Sequence, residues 1–256
     1  MRKPIKLHWA SSKPNFGDML SPMIVQRISG RPVELASIRQ CELVAIGSLM
    51  QRLRKRRWRR LHVWGAGFIS EQKPCVMRHH IHAVRGPETA ALLKRDPASL
   101  VLGDPALLAG LLNESLFKLP RRQRITVIPH YKDKDGDALA HLKAFNPGIQ
   151  VLDVFSDPMV LLDAIARSEL VVSSAMHGLI AADALGVPNY RIILSNDLRG
   201  GDFKFRDYYG VFGITPPEVA VTSFQGELFD RLIGEYHRPG LEKIKAGLLQ
   251  SFPSEL

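Results

Sequence analysis

The sequence is short of the features that define membrane-spanning, secreted and zinc-stapled proteins. It has two cysteines, Cys41 and Cys75, and neither lies in a CxxC pair or in the spacing of a zinc site. No window reaches the ~18 consecutive apolar residues of a membrane helix. The basic N-terminal segment lacks the apolar stretch of a secretory signal. We therefore expect a soluble protein in a reducing cytoplasm.

The composition is that of an ordinary globular protein. Apolar residues make up 45% and charged residues 23% of the 256 residues, which excludes disordered, collagen-like and coiled-coil chains. At ~150 residues per domain, the length predicts one large domain or two small ones. The formal net charge is +10, and seven of the positive charges lie within residues 52–60. This basic run indicates an anionic partner, although a solvated helix face is an equally good interpretation.

Short apolar runs alternate with helical patterns along most of the chain. The runs are continuous rather than alternating, which is typical of strands buried on both faces. The predicted strands are residues 5–10, 42–48, 61–66, 81–86, 99–105, 125–130, 149–154, 169–174 and 190–194. The predicted helices are residues 17–29, 87–95, 136–145, 157–167 and 177–186. This alternation predicts an α/β protein with mainly parallel sheets.

Nine strands are too many for one sheet in a chain of this length. The polar, basic segment 113–124 offers a break, and it divides the chain into two Rossmann-like halves, residues 1–118 and 124–230. A C-terminal helical tail, residues 231–256, is expected to pack back across the first half. Because ligands of such sheets bind beyond the carboxyl ends of the strands, polar residues at the strand-to-loop junctions are the candidate site residues.

Three junctions of the first half carry charged residues. Asp18 follows the tight turn at Gly17 and is either a helix cap or a functional group, two readings that are compatible. Arg85 ends a buried strand, where its planar guanidinium suits a carboxylate or phosphate, with a structural salt bridge as the alternative. Asp104 precedes Pro105 and is interpreted as structural.

The most informative junction lies in the second half. A buried strand runs into Ser173 and Ser174, and a helix opens at His177 and Gly178. A helix start is an anion site, where the serines would hold anion oxygens and the histidine would move a proton. A capped helix with a buried, satisfied histidine is the alternative. His130, at another junction, is as readily a wall residue as a ligand.

Residues 200–213 are predicted to form a mobile loop after two glycines. Lys204 and Arg206 would share one side of an extended segment, and Tyr208 and Tyr209 would offer aromatic faces to a sugar. An amphipathic surface loop is the alternative. No metal site is predicted, because the histidines of the segment HHIH (79–82) have no acidic ligand nearby in the sequence.

Six motifs together resemble the polysaccharide pyruvyl transferase family, and most closely its short bacterial exopolysaccharide ketal-pyruvate transferases. In order, they are NFGDMLSP, AVRGPET, LGDPALL, IPHY, VVSSAMHGLIAADALGVP and FKFRDYY, within residues 7–213. The resemblance implies two Rossmann-like domains facing a cleft, as in GT-B glycosyltransferases. It also implies transfer of pyruvate from phosphoenolpyruvate to two hydroxyls of a sugar, which forms a cyclic ketal and releases phosphate without a further cofactor.

The resemblance also implies roles for individual residues. His177 would be the catalytic acid/base, and Arg85 would contact the donor. The chemistry of the reaction separately suggests that Asp18, across the cleft, orients the acceptor. Some family members have an arginine where this chain has Ala175, so other cations must help to hold the phosphate. With the residues chosen from their positions, the expected donor-binding set is Arg85, Ser173, Ser174, Gly178, His130, Lys204 and Arg206.

The expected acceptor is a lipid-linked saccharide at the inner face of the membrane. The basic run would then contact anionic headgroups from the cytoplasmic side, with no nucleic-acid partner. The residues assigned to this contact are Arg54, Arg56, Arg57, Trp58, Arg59 and Arg60.

Two other functions are open on the sequence alone. A nucleotide-sugar glycosyltransferase of GT-B type would share the architecture. A non-catalytic basic module that binds membranes or nucleic acid would account for the basic run but would leave Arg85 and the SSAMHG junction unexplained.

Overall fold

The computed structural model describes residues 3–13, 15–53, 60–195 and 200–256. These residues form two parallel sheets with flanking helices, as the α/β prediction requires. The first sheet contains β1 (Ile5–His8), β2 (Val33–Leu35), β3 (Leu43–Val44), β4 (His62–Trp64), β5 (His80–Val84) and β6 (Val101–Leu102). The second contains β7 (Gln123–Ile128), β8 (Gln150–Val151), β9 (Ser168–Ser173), β10 (Asn189–Ile192) and β11 (Glu218–Val219).

The α-helices lie between and after these strands. They are α1 (Phe16–Ser29), α2 (Met50–Leu53), α3 (Pro87–Leu92), α4 (Asp137–Phe145), α5 (Pro158–Ala166), α6 (Met176–Ala184), α7 (Phe203–Tyr209), α8 (Gly226–Gly234) and α9 (Leu241–Gln250). Short 3₁₀ helices are Pro97–Ser99, Pro105–Leu112, Glu114–Lys118 and Gly210–Phe212. Within the described residues, no helix has both the length and the apolar character needed to cross a bilayer.

All nine predicted strands overlap a strand of the structure, and the five predicted internal helices are present. The sequence reasoning missed β2 and β11, each of which forms one edge of its sheet. Their side chains are partly exposed. An edge strand of this kind therefore lacks the continuous apolar run that marks a strand buried on both faces.

Each sheet contains one point at which the order of its strands reverses. The orders are β2-β1-β3-β4-β5-β6 and β8-β7-β9-β10-β11, with every pairing parallel. The reversals fall between β1 and β3 and between β7 and β9. In doubly wound sheets a ligand crevice opens at the carboxyl ends of the strands at such a point. The topology therefore predicts one crevice in each sheet.

The two halves share one hydrophobic core. Phe16 and Leu20 of α1 belong to the same buried cluster as Leu161 of α5 and Leu179 of α6. The 3₁₀ helix Pro105–Leu112 also contacts both α1 and α6. The sheets are thus joined through packed helices, while the division at residues 118–124 stays a prediction.

The C-terminal tail packs on the first half, as expected. α9 contacts β6, and the indole Nε1 of Trp64 donates to the carbonyl of Leu248 at 2.9 Å. The ring of Phe252 then meets Trp64 edge-on at 5.0 Å between centroids. These contacts hold the last residues of the chain against the first sheet.

The prediction of an extended, mobile loop over residues 200–213 is wrong for the central part of that segment. Residues 203–209 form α7, and Tyr208 and Tyr209 are fully buried, so neither can stack on a sugar. The Tyr208 hydroxyl donates to buried Asp183 at 2.7 Å. In a helix, residues two apart point about 200° apart, so Lys204 and Arg206 face different surroundings.

Candidate active site

The two predicted crevices meet in a single cavity of about 390 Å³. Its wall contains residues 15–18 after β1, residues 47–49 after β3, residues 130–132 after β7 and residues 175–178 after β9. At each reversal, the loops that follow the two strands on either side of it therefore form part of the cavity wall. A cavity built from both sheets in this way is the candidate active site.

Asp18 is both a capping residue and part of the cavity wall. The Asn15 side-chain oxygen accepts from the backbone N–H groups of Gly17 and Asp18, while its amide donates to the Asp18 carboxylate at 2.7 Å. Burial raises the pKa of Asp18 to about 6, against the opposing effects of the Asn15 N–H and the nearby charge of Arg52. Near neutral pH this carboxyl can therefore exchange a proton.

His177 lies in the first turn of α6 at the junction of the two halves. Its ring packs so closely on Gly17 that a Cβ there would overlap the Nδ1 atom. Nε2 lies 3.9 Å from the Oδ2 of buried Asp104, and neither atom has a hydrogen-bond partner among the described residues. The imidazole is thus held between a glycine of the cavity wall and a carboxylate.

The surroundings of His177 keep its ring neutral. Burial lowers the pKa of His177 to about 3, and the charges of Lys204 and Arg85 act in the same direction. Burial also raises the pKa of Asp104 to about 6. The ring is therefore unprotonated near neutral pH, and the facing carboxylate would stabilise an imidazolium formed there during a reaction.

The interpretation of Asp104 as structural is confirmed for one of its oxygens, but it did not foresee that the other oxygen faces His177. The structural oxygen is Oδ1, which accepts from the Ala106 N–H at 3.0 Å and caps the 3₁₀ helix that follows. The available signal was its position after β6, at a strand-to-loop junction like those of the other candidates. The contact of the second oxygen with His177 depends on how α6, from the other half of the chain, packs against this junction.

Lys204 supplies a buried positive charge to the cavity wall. Burial lowers its pKa to about 8, with further lowering by Arg85 and Arg191. The described part of the wall carries four basic side chains and one acidic one. They are Lys13, Arg52, Lys132 and Lys204, with Asp18 as the acid. This balance favours an anionic ligand.

The start of α6 adds to the positive character of the cavity. Its N-cap residue is Ala175, and no side chain caps the helix. Gly178, also in the wall, packs so tightly that a Cβ would lie 2.7 Å from the Ser173 hydroxyl. A helix start beside a buried lysine is a favourable place for anionic oxygens.

His130 also lies in the cavity wall. Burial lowers its pKa to about 4, and Lys204 contributes further lowering. Its backbone N–H donates to the Ser174 hydroxyl at 2.8 Å. The structure thus brings His130, His177 and Lys204 to one cavity, as the prediction of a common site requires.

The two serines before α6 do not lie in the cavity wall. Ser173 is fully buried, and its hydroxyl lies 2.7 Å from the Ile128 carbonyl and 2.8 Å from the Ala175 carbonyl, which share its one proton. Ser174 is also fully buried and donates to Asp133 at 2.6 Å. Both hydroxyl protons are used inside the protein, so the expected contact of these side chains with the donor is corrected to a structural role.

Arg85 is likewise placed behind the wall rather than in it. Its Nε donates to Asp207 of α7 at 2.9 Å, and its other nitrogens bind the Ser48 hydroxyl and the Phe68 carbonyl. Both members of the Arg85–Asp207 pair are fully buried. The structural salt bridge, the alternative considered for Arg85, is the arrangement observed. Asp207 had been missed, because its partner lies in the other half of the chain.

Arg206 points away from the cavity. It forms hydrogen-bonded ion pairs with Glu71 and Glu88, and 42% of its side chain is exposed. The predicted contact of Arg206 with the donor is therefore not supported. Because α7 is a helix, Lys204 faces the cavity and Arg206 does not. Within this pair only Lys204 lines the cavity.

Most of the basic run lies outside the described residues. This applies to Arg54, Arg56, Arg57, Trp58 and Arg59. Arg60 is exposed at one end of the run, and Arg52 at the other end lines the cavity. The run is therefore continuous in sequence with the candidate site.

Fold and site together define a doubly wound α/β protein with a candidate active site between two sheets, in a cavity lined by more basic than acidic side chains. The family model described as "Polysaccharide pyruvyl transferase" matches residues 6–196, and the chain belongs to this family. Its relatives include the succinoglycan biosynthesis protein ExoV of Rhizobium meliloti (strain 1021), at 29% identity over 84% of this chain and 68% of that protein.

Two further similarities concern proteins without a stated activity. An uncharacterized protein of Acanthamoeba polyphaga mimivirus is 26% identical over 83% of this chain and 76% of its own length. The crystal structure of a functionally uncharacterized protein of Klebsiella pneumoniae superimposes with a TM-score of 0.47 at 10% identity. That alignment covers 86% of this chain and 93% of the other.

Proposed function

We propose that this protein transfers the pyruvyl group of phosphoenolpyruvate to two hydroxyls of a saccharide, forming a cyclic ketal and releasing phosphate. The observation that carries the proposal is the shared cavity of neutral His177, buried Lys204 and the uncapped start of α6 in a member of this family. Phosphoenolpyruvate carries a carboxylate and a phosphate a few ångströms apart. Such a donor needs converging cations and amide groups.

His177 acts first as a base. Its neutral ring takes the proton of the first sugar hydroxyl as that oxygen attacks C2 of the donor, and the methylene carbon gains a proton to become a methyl group. Phosphate then leaves with the electron pair of its C–O bond. The second hydroxyl attacks C2 and closes the ketal. The two hydroxyl protons are thereby balanced by one on the methyl carbon and one on phosphate.

Two carboxyl groups assist the histidine in this scheme. Asp104 faces Nε2 and stabilises the imidazolium formed when the ring accepts a proton on its other nitrogen. Asp18 follows Gly17 on α1 in the cavity wall, where its carboxylate accepts a hydrogen bond from the saccharide and orients it. Lys204 offsets the charge of the departing phosphate.

The acceptor that we propose is a saccharide carried on a lipid. The basic run begins at Arg52 in the cavity wall and ends at exposed Arg60, so contact of the run with anionic headgroups would bring the cavity close to the membrane surface. Reversing the charges of the run should abolish co-sedimentation with anionic liposomes. Unchanged co-sedimentation would refute membrane docking while leaving the transfer reaction untouched.

The donor is tested by thermal stability with and without phosphoenolpyruvate. A ligand at 100 times its dissociation constant adds ~2.7 kcal/mol, which corresponds to roughly 5–10 °C for a chain of this size. The variant Lys204→Gln should lose most of this shift. Arg206→Gln is the matched control, since it removes a cation from the same helix outside the cavity, and its shift should match wild type.

The reaction itself is tested by phosphate release in the presence of a saccharide acceptor, with the ketal identified by NMR. His177→Ala should abolish both signals while retaining the shift caused by phosphoenolpyruvate. A protein stabilised by a nucleotide sugar and indifferent to phosphoenolpyruvate would refute the proposal and favour a glycosyltransferase.

A further inference from the structure

Three potential metal ligands meet on the outer face of the first sheet, away from the cavity. His62 Nδ1 lies 2.8 Å from His82 Nε2, and the Glu255 carboxylate lies 3.3 Å from the former and 3.5 Å from the latter. The two histidines belong to neighbouring strands, and the glutamate belongs to the C-terminal tail. Residues distant in sequence thus place three lone-pair atoms at the corners of a small triangle.

The dimensions of this triangle match one face of a zinc coordination tetrahedron. Zinc binds histidine nitrogen and carboxylate oxygen at ~2.0–2.1 Å, so ligand atoms of a tetrahedral site lie roughly 3.3 Å apart. Two edges of the observed triangle are within about 0.2 Å of that value. The shortest edge is the His62–His82 hydrogen bond, which a metal ion would replace by lengthening the separation by about 0.5 Å.

The sheet and the tail build this arrangement from ordinary packing. His62 is paired with His80 across β4 and β5, and strand alternation puts His82 on the same face as His80. The ring of His62 stacks between the other two, with centroids 5.0 and 5.1 Å away. Phe252 on Trp64 then fixes the path of the tail that delivers Glu255.

The position is open enough to admit an ion. The side chains of His62 and His82 are 17% and 21% exposed, and that of Glu255 is 55% exposed. An adjacent surface cavity of about 290 Å³ contains Glu42, along with the basic residues Lys3, Arg31 and Arg60. A fourth coordination position can therefore be taken by water.

We propose that His62, His82 and Glu255 bind a divalent transition-metal ion of the zinc class, which fastens the C-terminal tail to the first sheet. Two imidazoles and one carboxylate select such ions over Mg²⁺ and Ca²⁺, which prefer all-oxygen sites. The HHIH segment alone had no acidic partner in the sequence. The tertiary structure supplies one from the far end of the chain, together with His62 from the neighbouring strand.

The proposal is tested by calorimetric titration of tag-free, chelator-treated protein with zinc chloride. One ion should bind per chain, and titration with magnesium chloride should give no heat above dilution. His82→Gln and Glu255→Gln should each weaken zinc binding by at least tenfold. His80→Gln is the matched control, because it removes a histidine that stacks on His62 from outside the triangle, and its affinity should stay within about threefold of wild type.

A second readout reports the geometry of the site. Cobalt(II), used as a substitute for zinc, should give the intense visible absorption of a four-coordinate site in wild type and in His80→Gln, and should lose it in Glu255→Gln. Sub-stoichiometric zinc binding, or equal binding in all variants, would overturn the proposal and identify an adventitious surface histidine site. Chelator-treated protein should keep the thermal shift caused by phosphoenolpyruvate, so failure here is distinguishable from failure of the proposed function.

Discussion

Replacing Asp104 by asparagine separates the charge of this residue from its structural role. The amide oxygen of asparagine can still accept from the Ala106 N–H, so the start of the 3₁₀ helix Pro105–Leu112 is preserved. What disappears is the negative charge 3.9 Å from His177 Nε2. At an effective dielectric constant of about 20, a pair at this distance interacts by about 4 kcal/mol. If the imidazolium forms during the reaction, kcat should fall by roughly 10³.

The same substitution should not weaken the fold at neutral pH. The pKa of Asp104 is raised from 3.8 to about 6, so the ionised carboxyl costs the folded state about 3 kcal/mol above that pH. This cost is absent below pH ~4 and is fully developed only above pH ~6. The free energy of unfolding of the variant, relative to that of wild type, therefore increases as the pH rises through this window. A buried amide hydrogen without a partner offsets about 1–3 kcal/mol of the gain.

The assays are the pH profile of phosphate release and thermal unfolding of both proteins at pH 4 and pH 8. We expect the variant to be much less active than wild type at every pH. Its stability relative to wild type should be higher at pH 8 than at pH 4. A loss of activity below tenfold would refute the role of Asp104 opposite His177. A variant that loses stability on going from pH 4 to pH 8, relative to wild type, would refute the assignment of a raised pKa.

Three further predictions follow from other contacts. Gly17→Ala should abolish transfer, measured as phosphate release, because its Cβ would overlap the ring of His177. Asp207→Asn should lower the free energy of unfolding in urea by about 3–5 kcal/mol, since it leaves the buried guanidinium of Arg85 unpaired. Binding of phosphoenolpyruvate, followed by calorimetry, should weaken as the pH rises through about 8, where Lys204 loses its proton.

Each of these predictions has an outcome that contradicts it. Retained activity in the glycine variant would show that the ring of His177 can move without loss of function. Wild-type stability in the Asp207 variant would mean that the ion pair contributes nothing net. Donor affinity that is constant between pH 7 and pH 9 would exclude protonated Lys204 from donor binding.

Much of the fold was predictable because its signals are local. Buried parallel strands are continuous apolar runs, and the helices between them start and stop at caps, glycines and prolines, so all nine predicted strands and the carboxyl-end junctions could be found. The same local reasoning located His177, Asp18 and His130, since each lies in the loop or helix start that follows a strand ending at the cavity. The edge strands β2 and β11 were missed because each contains a glutamate, Glu34 or Glu218, and so lacks a continuous apolar run.

The partner of each charged or hydroxyl group was not predictable in the same way. Arg85 has the position of a ligand-binding residue in the sequence, but in the structure it pairs with Asp207 of α7. The Ser174 hydroxyl likewise donates its hydrogen bond to Asp133. In an extended segment, residues two apart point to the same side, which is why Lys204 and Arg206 were expected together. In the helix α7 they point to nearly opposite sides.

The sequence by itself determined the α/β class, the order of the elements and the place of the site at the strand ends. These follow from hydrophobic periodicity and chain breaks, which act over a few residues. Only the tertiary structure decided which polar groups face the cavity, which are paired inside the protein and which meet across the chain, as His62, His82 and Glu255 do. Burial and charge pairing depend on segments far apart in sequence, and these come together only when the two sheets and the tail pack.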